Sequence, residues 1–256
     1  MTEFAHNAIT PSGSSRAISG SCSRPAPCVE RRRGGRIALK EPYPHHIEIA
    51  DGDPHLQAAV SQLVRTMYSA RGLHVPIEQT TTPVASPRTT TLVARAGEKV
   101  LGTVTVGADA RSGLLADERY RAEVDRIRMH SIGLCEFTRL AIDPLFSSPR
   151  ILANMFNVAF VLARHLHRAN DLVMEVNPRH VGYYRRMLGC TVAGAETICP
   201  RVGAPAILLH LSLEHVQSQI EQHHAGTLNK IRNLYRLSFP PPEQPQLLAT
   251  LLGHAH

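Results

Sequence analysis

Glu136, Thr138 and Arg139 place a carboxylate, a hydroxyl and a guanidinium within four positions of an otherwise apolar run, Leu134-Cys135-Glu136-Phe137-Thr138-Arg139-Leu140-Ala141-Ile142-Asp143. A carboxylate in such surroundings needs a partner or a task. Partial burial raises its pKa toward the range where it takes a proton near neutrality. A second polar set, Asn177 and Tyr184, lies in DLVMEVNPRHVGYYRRMLGC, residues 171–190. Together these groups suggest an acyl-transfer site.

The elements that would position these groups can be read from periodicity. Strict alternation predicts a strand over 134–142, with Leu134, Glu136, Thr138, Leu140 and Ile142 on one face and Cys135, Phe137, Arg139 and Ala141 on the other. Apolar residues on both faces suit a central strand covered on both sides. Leu172 to Val176 predicts another strand. It feeds a helix over 178–188, with Asn177 as N-cap, Pro178 at the first helical position and Gly189 just past the end. Val181, Tyr184 and Leu188 share one face of that helix. Ligands in open α/β sheets gather at the carboxyl ends of such strands.

Composition narrows the class. The 256 residues, 43% hydrophobic, fit one domain with tails, and the net charge of +7 suits an acidic partner or an anionic membrane surface. A basic run, Arg31, Arg32, Arg33 and Arg36, carries part of that charge in a tail whose simplest role is solubility. The absence of tryptophan, and the lack of aromatics beside the basic run, argues against nucleic-acid binding. Five cysteines, an odd number with no C-x-x-C pair, point to reduced thiols and a cytoplasmic protein. The 15 histidines lack ligand spacing, so no metal is expected: His45-His46 and His223-His224 are adjacent, and His165 and His167 point to different helix faces. No apolar run reaches membrane-span length.

Along the chain, residues 1–44 are rich in Ser, Pro, Gly and Arg and predict a disordered tail. Residues 45–213 form the expected domain. His46 to Ala50 is a short strand, and Pro54 to Ala70 a helix striped by Leu56, Val60, Leu63, Val64 and Met67. Residues 71–88, with three prolines, predict a long loop, a candidate wall over an acyl tunnel. Thr90 to Ala94 and Val100 to Val106 predict a hairpin, and Asp117 to Arg128 a charged helix with a solvated face. Ser148-Pro149 opens a long apolar helix over 151–168. Thr191 to Ala193 and Ala206 to Leu213 are the last strands. Residues 214–256 are expected to be a helical extension that caps the domain or meets a partner.

These motifs carry a resemblance. NPRHVGYYRRMLGC is similar to the late helix of the Gcn5-related N-acetyltransferase (GNAT) superfamily. The ordered set GTVTV, GLLADERYRAEVDRIR, CEFTRLAID and VNPRH resembles the N-acyl amino acid synthase branch, over roughly residues 60–213. EFTRL also resembles the E-x-[ST]-R-F motif of acyl-homoserine-lactone synthases. The resemblance implies an α/β fold, a GNAT-like mixed central sheet flanked by helices on both faces. It implies an N-acyltransferase moving a fatty acyl group from a phosphopantetheine thioester to the amine of an amino acid or similar small amine. Glu136 is then the candidate base and Tyr184 the candidate acid for the thiolate. Thr138, Arg139, Leu140 and Asn177 are candidate substrate-binding positions, with oxyanion donors from a strand bulge near Thr138 to Ala141. Each residue has a structural alternative: Glu136 as one half of a buried ion pair, Tyr184 as packing, Asn177 as a cap, Arg139 as a partner for a structural carboxylate.

One departure bears on the donor. Acetyl-CoA-using members cradle the pyrophosphate with R-x-x-G-x-G, whereas Leu145-Phe146-Ser147-Ser148-Pro149-Arg150 contains no glycine. A two-phosphate backbone nest is not expected, but Ser147, Ser148 and Arg150 at a helix N-terminus could hold one phosphate. That favours an acyl carrier protein over coenzyme A as acyl donor, with no tightly bound cofactor. The alternatives left open are an acyl-homoserine-lactone-type synthase, an acetyl-CoA-dependent enzyme, and a non-catalytic acyl-binding module. The partners expected are an acyl carrier protein and a small amine, with weak contact to a membrane surface as a further option.

Overall fold

A computed structural model of the chain describes residues 30–32, 35–40, 44–70, 88–227 and 233–253. The expected loop at 71–88 falls outside the described residues except for Arg88, as does most of the expected N-terminal tail. Among the described residues, nine strands make one sheet: β1 (Glu30–Arg32), β2 (Arg36–Leu39), β3 (His45–Ile49), β4 (Thr89–Ala96), β5 (Lys99–Ala108), β6 (Leu134–Ile142), β7 (Asp171–Val176), β8 (Thr191–Cys199) and β9 (Ala204–Ser212). Their order is β1-β2-β3-β4-β5-β6-β7-β9-β8. All neighbouring pairs are antiparallel except β6 with β7, which run parallel. The sheet is therefore mixed, and β6 lies in its interior, between β5 and β7.

The tail expectation is corrected at its end, because residues 36–39 are strand. Ile37 and Leu39 alternate with outward positions and are buried. Arg36 is drawn in by Glu48 on β3, at 2.6 Å, and Arg95 on β4 meets the same carboxylate at 2.8 Å. The flanking arginines and glycines hid this short period-two pattern.

One face of the sheet carries α1 (Pro54–Ser69) and α2 (Asp117–Arg128). Asp53 caps α1 by accepting hydrogen bonds from the N–H groups of His55 and Leu56. Leu56, Val60, Val64 and Met67 bury its inner stripe against Val93 and Ala141. Tyr120 of α2 packs on Val173 and Leu208 and donates from its hydroxyl to the carbonyls of Ala195 and Ala206. A Cβ on Gly194 would come 2.5 Å from the Tyr120 ring, so only glycine admits that latch.

The other face carries α3 (Pro149–Val161, extended by a π-helical turn to Leu166) and α4 (Pro178–Leu188). Every residue from Ile151 to Val161 is buried. A helix apolar all round needs cover on both sides. The sheet supplies one side, and the C-terminal extension supplies the other: α5 (Leu213–His224), a 3₁₀ turn (Leu234–Leu237) and α6 (Gln244–Leu251). Val216, Ile220, Leu234, Tyr235, Phe239, Leu247 and Leu251 join the same core as Phe156 and Ile142. The extension thus caps the domain. No described helix is long and apolar enough to cross a membrane.

Candidate active site

The parallel pair β6–β7 is joined over three residue pairs only: Leu134 with Asp171, Cys135 with Leu172, and Glu136 with Val173. Beyond these the strands part, and the backbone of β6 from Phe137 onward borders a cleft. At the same level the ladder between β5 and β6 slips. Thr105 is opposite Thr138, and Thr103 is opposite Ala141, so β6 spends three steps where β5 spends two. The extra residue is a β-bulge, centred on Arg139 at φ 51°. Non-glycine residues rarely adopt this conformation, and bulges re-aim the backbone next to active sites.

The bulge corrects the expected faces. Cys135 and Phe137 lie in the α3-side core, as alternation predicts, with Leu134 and Glu136 opposite. After the bulge the parity inverts. Ile142 and Leu140 join the α3-side core, and Ala141 packs among α1 residues. Arg139, expected opposite Glu136, lies beside Tyr68 of α1, on the Glu136 side of the sheet. Burial pulls its guanidinium pKa down.

Glu136 is 3% exposed. One carboxylate oxygen accepts from the N–H of Leu115 at 2.7 Å and the other from that of Ala116 at 3.0 Å, so the side chain fastens the turn leading into α2. Burial raises its pKa to about 7, against the opposing pull of Arg201 and the two amides. The alternative of a buried Glu–Arg pair is not what forms: its direct partners are backbone amides, and Arg201 acts through space.

Arg201 and Glu175 are the residues sequence reasoning missed here. Arg201 pairs with Glu175 Oε2, meets Glu118 at 2.7 Å, and donates to the Leu115 carbonyl at 3.0 Å. Glu175 Oε1 is buried without a hydrogen-bond partner among the described residues. The signal was present: Glu175 interrupts the apolar run of β7, two positions past Val173, the residue in register with Glu136.

The other candidates distribute around the cleft. Thr138 lies half-buried in β6, opposite Thr105. Tyr184 is in the α3-side core, its ring 6.2 Å from that of Phe156, and so across the sheet from Glu136. Asn177 caps α4: its carbonyl oxygen accepts from the Arg179 N–H and its amide donates to the Pro205 carbonyl. Ser148 caps α3 by accepting from the Ile151 N–H at 3.1 Å, with Ser147 exposed and Arg150 half-buried beside it. Asp143 takes up the Leu145 N–H at 3.0 Å and pairs with Lys99. Protein groups therefore already occupy part of the backbone here that a pyrophosphate nest would use. Asn177 and Ser148 both follow the carboxyl ends of the two parallel strands, the end at which the cleft opens.

Cys135, next to Glu136 in β6, is fully buried, and burial pushes its thiol pKa up. Like Cys190 and Cys199 it is a free thiol.

A family model described as N-acyl amino acid synthase FeeM matches residues 59–212. No curated protein matches. Among solved structures, FeeM, an N-acyl amino acid synthase from uncultured soil microbes, is 29% identical, with a TM-score of 0.61 over 68% of this chain and 93% of that one. An acyl-CoA N-acyltransferase from Pseudomonas aeruginosa is 13% identical (TM-score 0.46; 66% of this chain, 98% of that one). The acyl-homoserine-lactone synthase LasI is 12% identical (TM-score 0.48; 66% and 90%).

Proposed function

Because this chain belongs to the N-acyl amino acid synthase FeeM family, and is an N-acyltransferase with the GNAT-like fold, we propose that it joins a fatty acyl group to the amine of an amino acid or similar small amine. The donor is a phosphopantetheine thioester. The observation that carries this reading is the coincidence, at one level of β6, of the parting from β7, the bulge at Arg139 and a buried carboxylate with a pKa near 7.

In this mechanism the amine enters on the α1/α2 side, and Glu136 takes its proton. The nitrogen attacks the thioester carbonyl carbon in the cleft. The C–N bond forms first, backbone N–H groups between Thr138 and Ala141 receive the transient oxyanion, and the C–S bond breaks as that adduct collapses; the second nitrogen proton, lost as the amide forms, restores the proton that the thiolate takes. Tyr184, on the other side of the cleft, gives a proton to the departing thiolate. Arg139 and Thr138 hold the amine substrate, Arg139 by pairing its carboxylate. Leu140 and Asn177 line the thioester arm.

The donor we favour is an acyl carrier protein, not coenzyme A. Its single phosphate fits Ser147, Ser148 and Arg150 at the start of α3. Binding its acidic surface to a chain of net charge +7 is then electrostatic. The three described cysteines, all free thiols, accord with a reducing cytoplasm, where weak contact with an anionic membrane would be electrostatic too.

The test is to express the chain in a bacterial host and identify acylated amines by mass spectrometry, then assay the purified protein with acyl carrier protein and coenzyme A donors. We expect N-acyl amino acids. We also expect a rate with carrier-bound donor that falls several-fold as ionic strength rises to about 0.15 M, where the screening length shortens to about 8 Å. No acylated amine would remove the function. A salt-independent rate with carrier-bound donor would remove the charged docking.

A further inference from the structure

Where β6 and β7 part, a second carboxylate stands beside the gap. On β7, Glu175 is two residues past Val173, the partner of Glu136 in the parallel register. Side chains two apart in a strand share a face, so Glu175 rises on the α2 side of the sheet, as Glu136 does. Carried on by two residues, the register would set Glu175 beside Thr138, at the level where the strands have separated. The two carboxylates are tied through one residue of the turn before α2. Glu136 holds the Leu115 N–H, and Arg201, the partner of Glu175, holds the Leu115 carbonyl.

The donors around Glu175 are already committed. The Leu115 and Ala116 N–H groups go to Glu136. Arg201, in the turn between β8 and β9, gives one terminal nitrogen to the Leu115 carbonyl and to Glu118, and the other to Glu175 Oε2. Glu175 Oε1 is left buried with no donor among the described residues, on a side chain only 8% exposed. A buried polar atom without a partner is costly, so such an atom in a folded protein calls for a water, an ion or a ligand. The local charge favours a cation. Glu118, Glu136 and Glu175 outnumber Arg201, and hydrogen bonds between ionised partners are the stronger kind.

We propose that Glu175 Oε1 seats the ammonium group of the substrate, and that the site therefore selects zwitterions. The inference rests on the N-acyltransfer reading and on its assignment of the substrate carboxylate to Arg139. Arg139 lies on the same side of the sheet as Glu136, so an α-amino acid offers one charge to each anchor, its carboxylate to Arg139 and its ammonium to Glu175. A simple alkylamine offers only the second of these groups and a 2-hydroxy acid only the first, so each binds more weakly. Glu175 is a binding residue: it holds the nitrogen, and the proton goes to Glu136. Arg201 fixes the direction in which the Glu175 carboxylate points.

The test uses the full chain and two variants. Glu175→Gln removes the charge and keeps the shape. Arg201→Met with Glu175→Gln removes the ion pair together, and serves if the single variant does not fold. Each of the twenty amino acids is titrated by calorimetry without acyl donor, which needs no turnover. The tightest is then compared with its 2-hydroxy analogue and its decarboxylated amine. We expect wild type to bind the amino acid more tightly than either analogue. Glu175→Gln should weaken the amino acid by roughly 10- to 150-fold, the range for a hydrogen bond to a charged group, and leave the hydroxy analogue within about twofold. In turnover, KM for the amino acid should rise by the same factor while KM for the thioester stays, and the rising limb of the pH profile should remain because it belongs to Glu136. Circular dichroism and thermal melts identify folded variants. If wild type makes N-acyl products and a folded variant keeps the wild-type preference for the amino acid over its hydroxy analogue, the seat is wrong and the function stands. If wild type makes none but the variant loses that preference, the seat stands and the reaction is wrong. A wild type that binds the hydroxy analogue as tightly as the amino acid, or binds no amino acid, overturns the seat outright.

Discussion

Replacing Glu136 with Gln lowers the acyl-transfer rate at saturating substrate by a factor of ~100 or more, the scale on which a positioned base contributes, and it also changes the shape of the pH profile. With Glu136 near pKa 7, the wild-type rate climbs with pH until the carboxylate is ionised and then levels. The Gln variant lacks that limb. The limb is the decisive part, because Glu136 also holds the Leu115 and Ala116 amides. A Gln side chain offers one acceptor where the carboxylate offers two, so the turn before α2 loosens and some rate is lost at every pH. A limb near pH 7 that survives in the variant would assign the proton transfer to another group, whatever the rate.

Stability gives a separate check on the same residue. A carboxyl whose folded pKa is raised binds its proton more tightly in the folded state. Its contribution is fully present below the unfolded pKa, near 4.5, and is lost as pH rises through about 7. Wild type should therefore lose stability across that interval in urea titrations, and Glu136→Gln should lose less. If both chains respond equally between those two pH values, burial does not raise the Glu136 pKa.

What the sequence made legible depends on whether the signal was local. Helix α4 was readable to the residue because its ends are chemical: Asn177 caps, Pro178 starts, and Gly189, at φ 74°, stops it in the left-handed conformation. The charged α2 was equally clear. The faces of β6 were readable only up to Thr138. Counting by twos assumes an unbroken ladder, and the bulge that inverts the count depends on β5, a partner far away in the chain. The site polar groups divide the same way. Glu136 stood out inside its own motif, whereas Arg201 lies in a turn between the last two strands and reaches Glu175 only through the fold. The C-terminal extension had apolar spacing too sparse to place, because its pattern answers to the outer side of α3 and not to a repeat of its own.

Arg201→Met carries the second large effect, and it acts through that long-range contact. Removing the guanidinium leaves Glu175 8% exposed, without its ion-pair partner, and with one oxygen already unbonded among the described residues. Breaking a buried pair from one side costs roughly 3–5 kcal/mol. Since Arg201 itself keeps some solvent contact, at 23%, we expect about 3 kcal/mol by urea unfolding at neutral pH, the lower end of that range. Adding Glu175→Gln to the same chain removes the uncompensated charge and should recover most of the loss. Arg201 also pulls the Glu136 pKa down, so its removal moves the rising limb of the rate profile above pH 7. The Leu115 carbonyl and Glu118 lose their anchor together, which loosens the same turn that Glu136 holds by its amides. Two measurements on one variant therefore answer different questions. An unchanged unfolding free energy would mean the Arg201–Glu175 pair contributes nothing net to the fold. An unmoved limb in a stable variant would mean Arg201 does not act on the group that takes the proton, and Glu136 would then have to be given up as that group or as its neighbour.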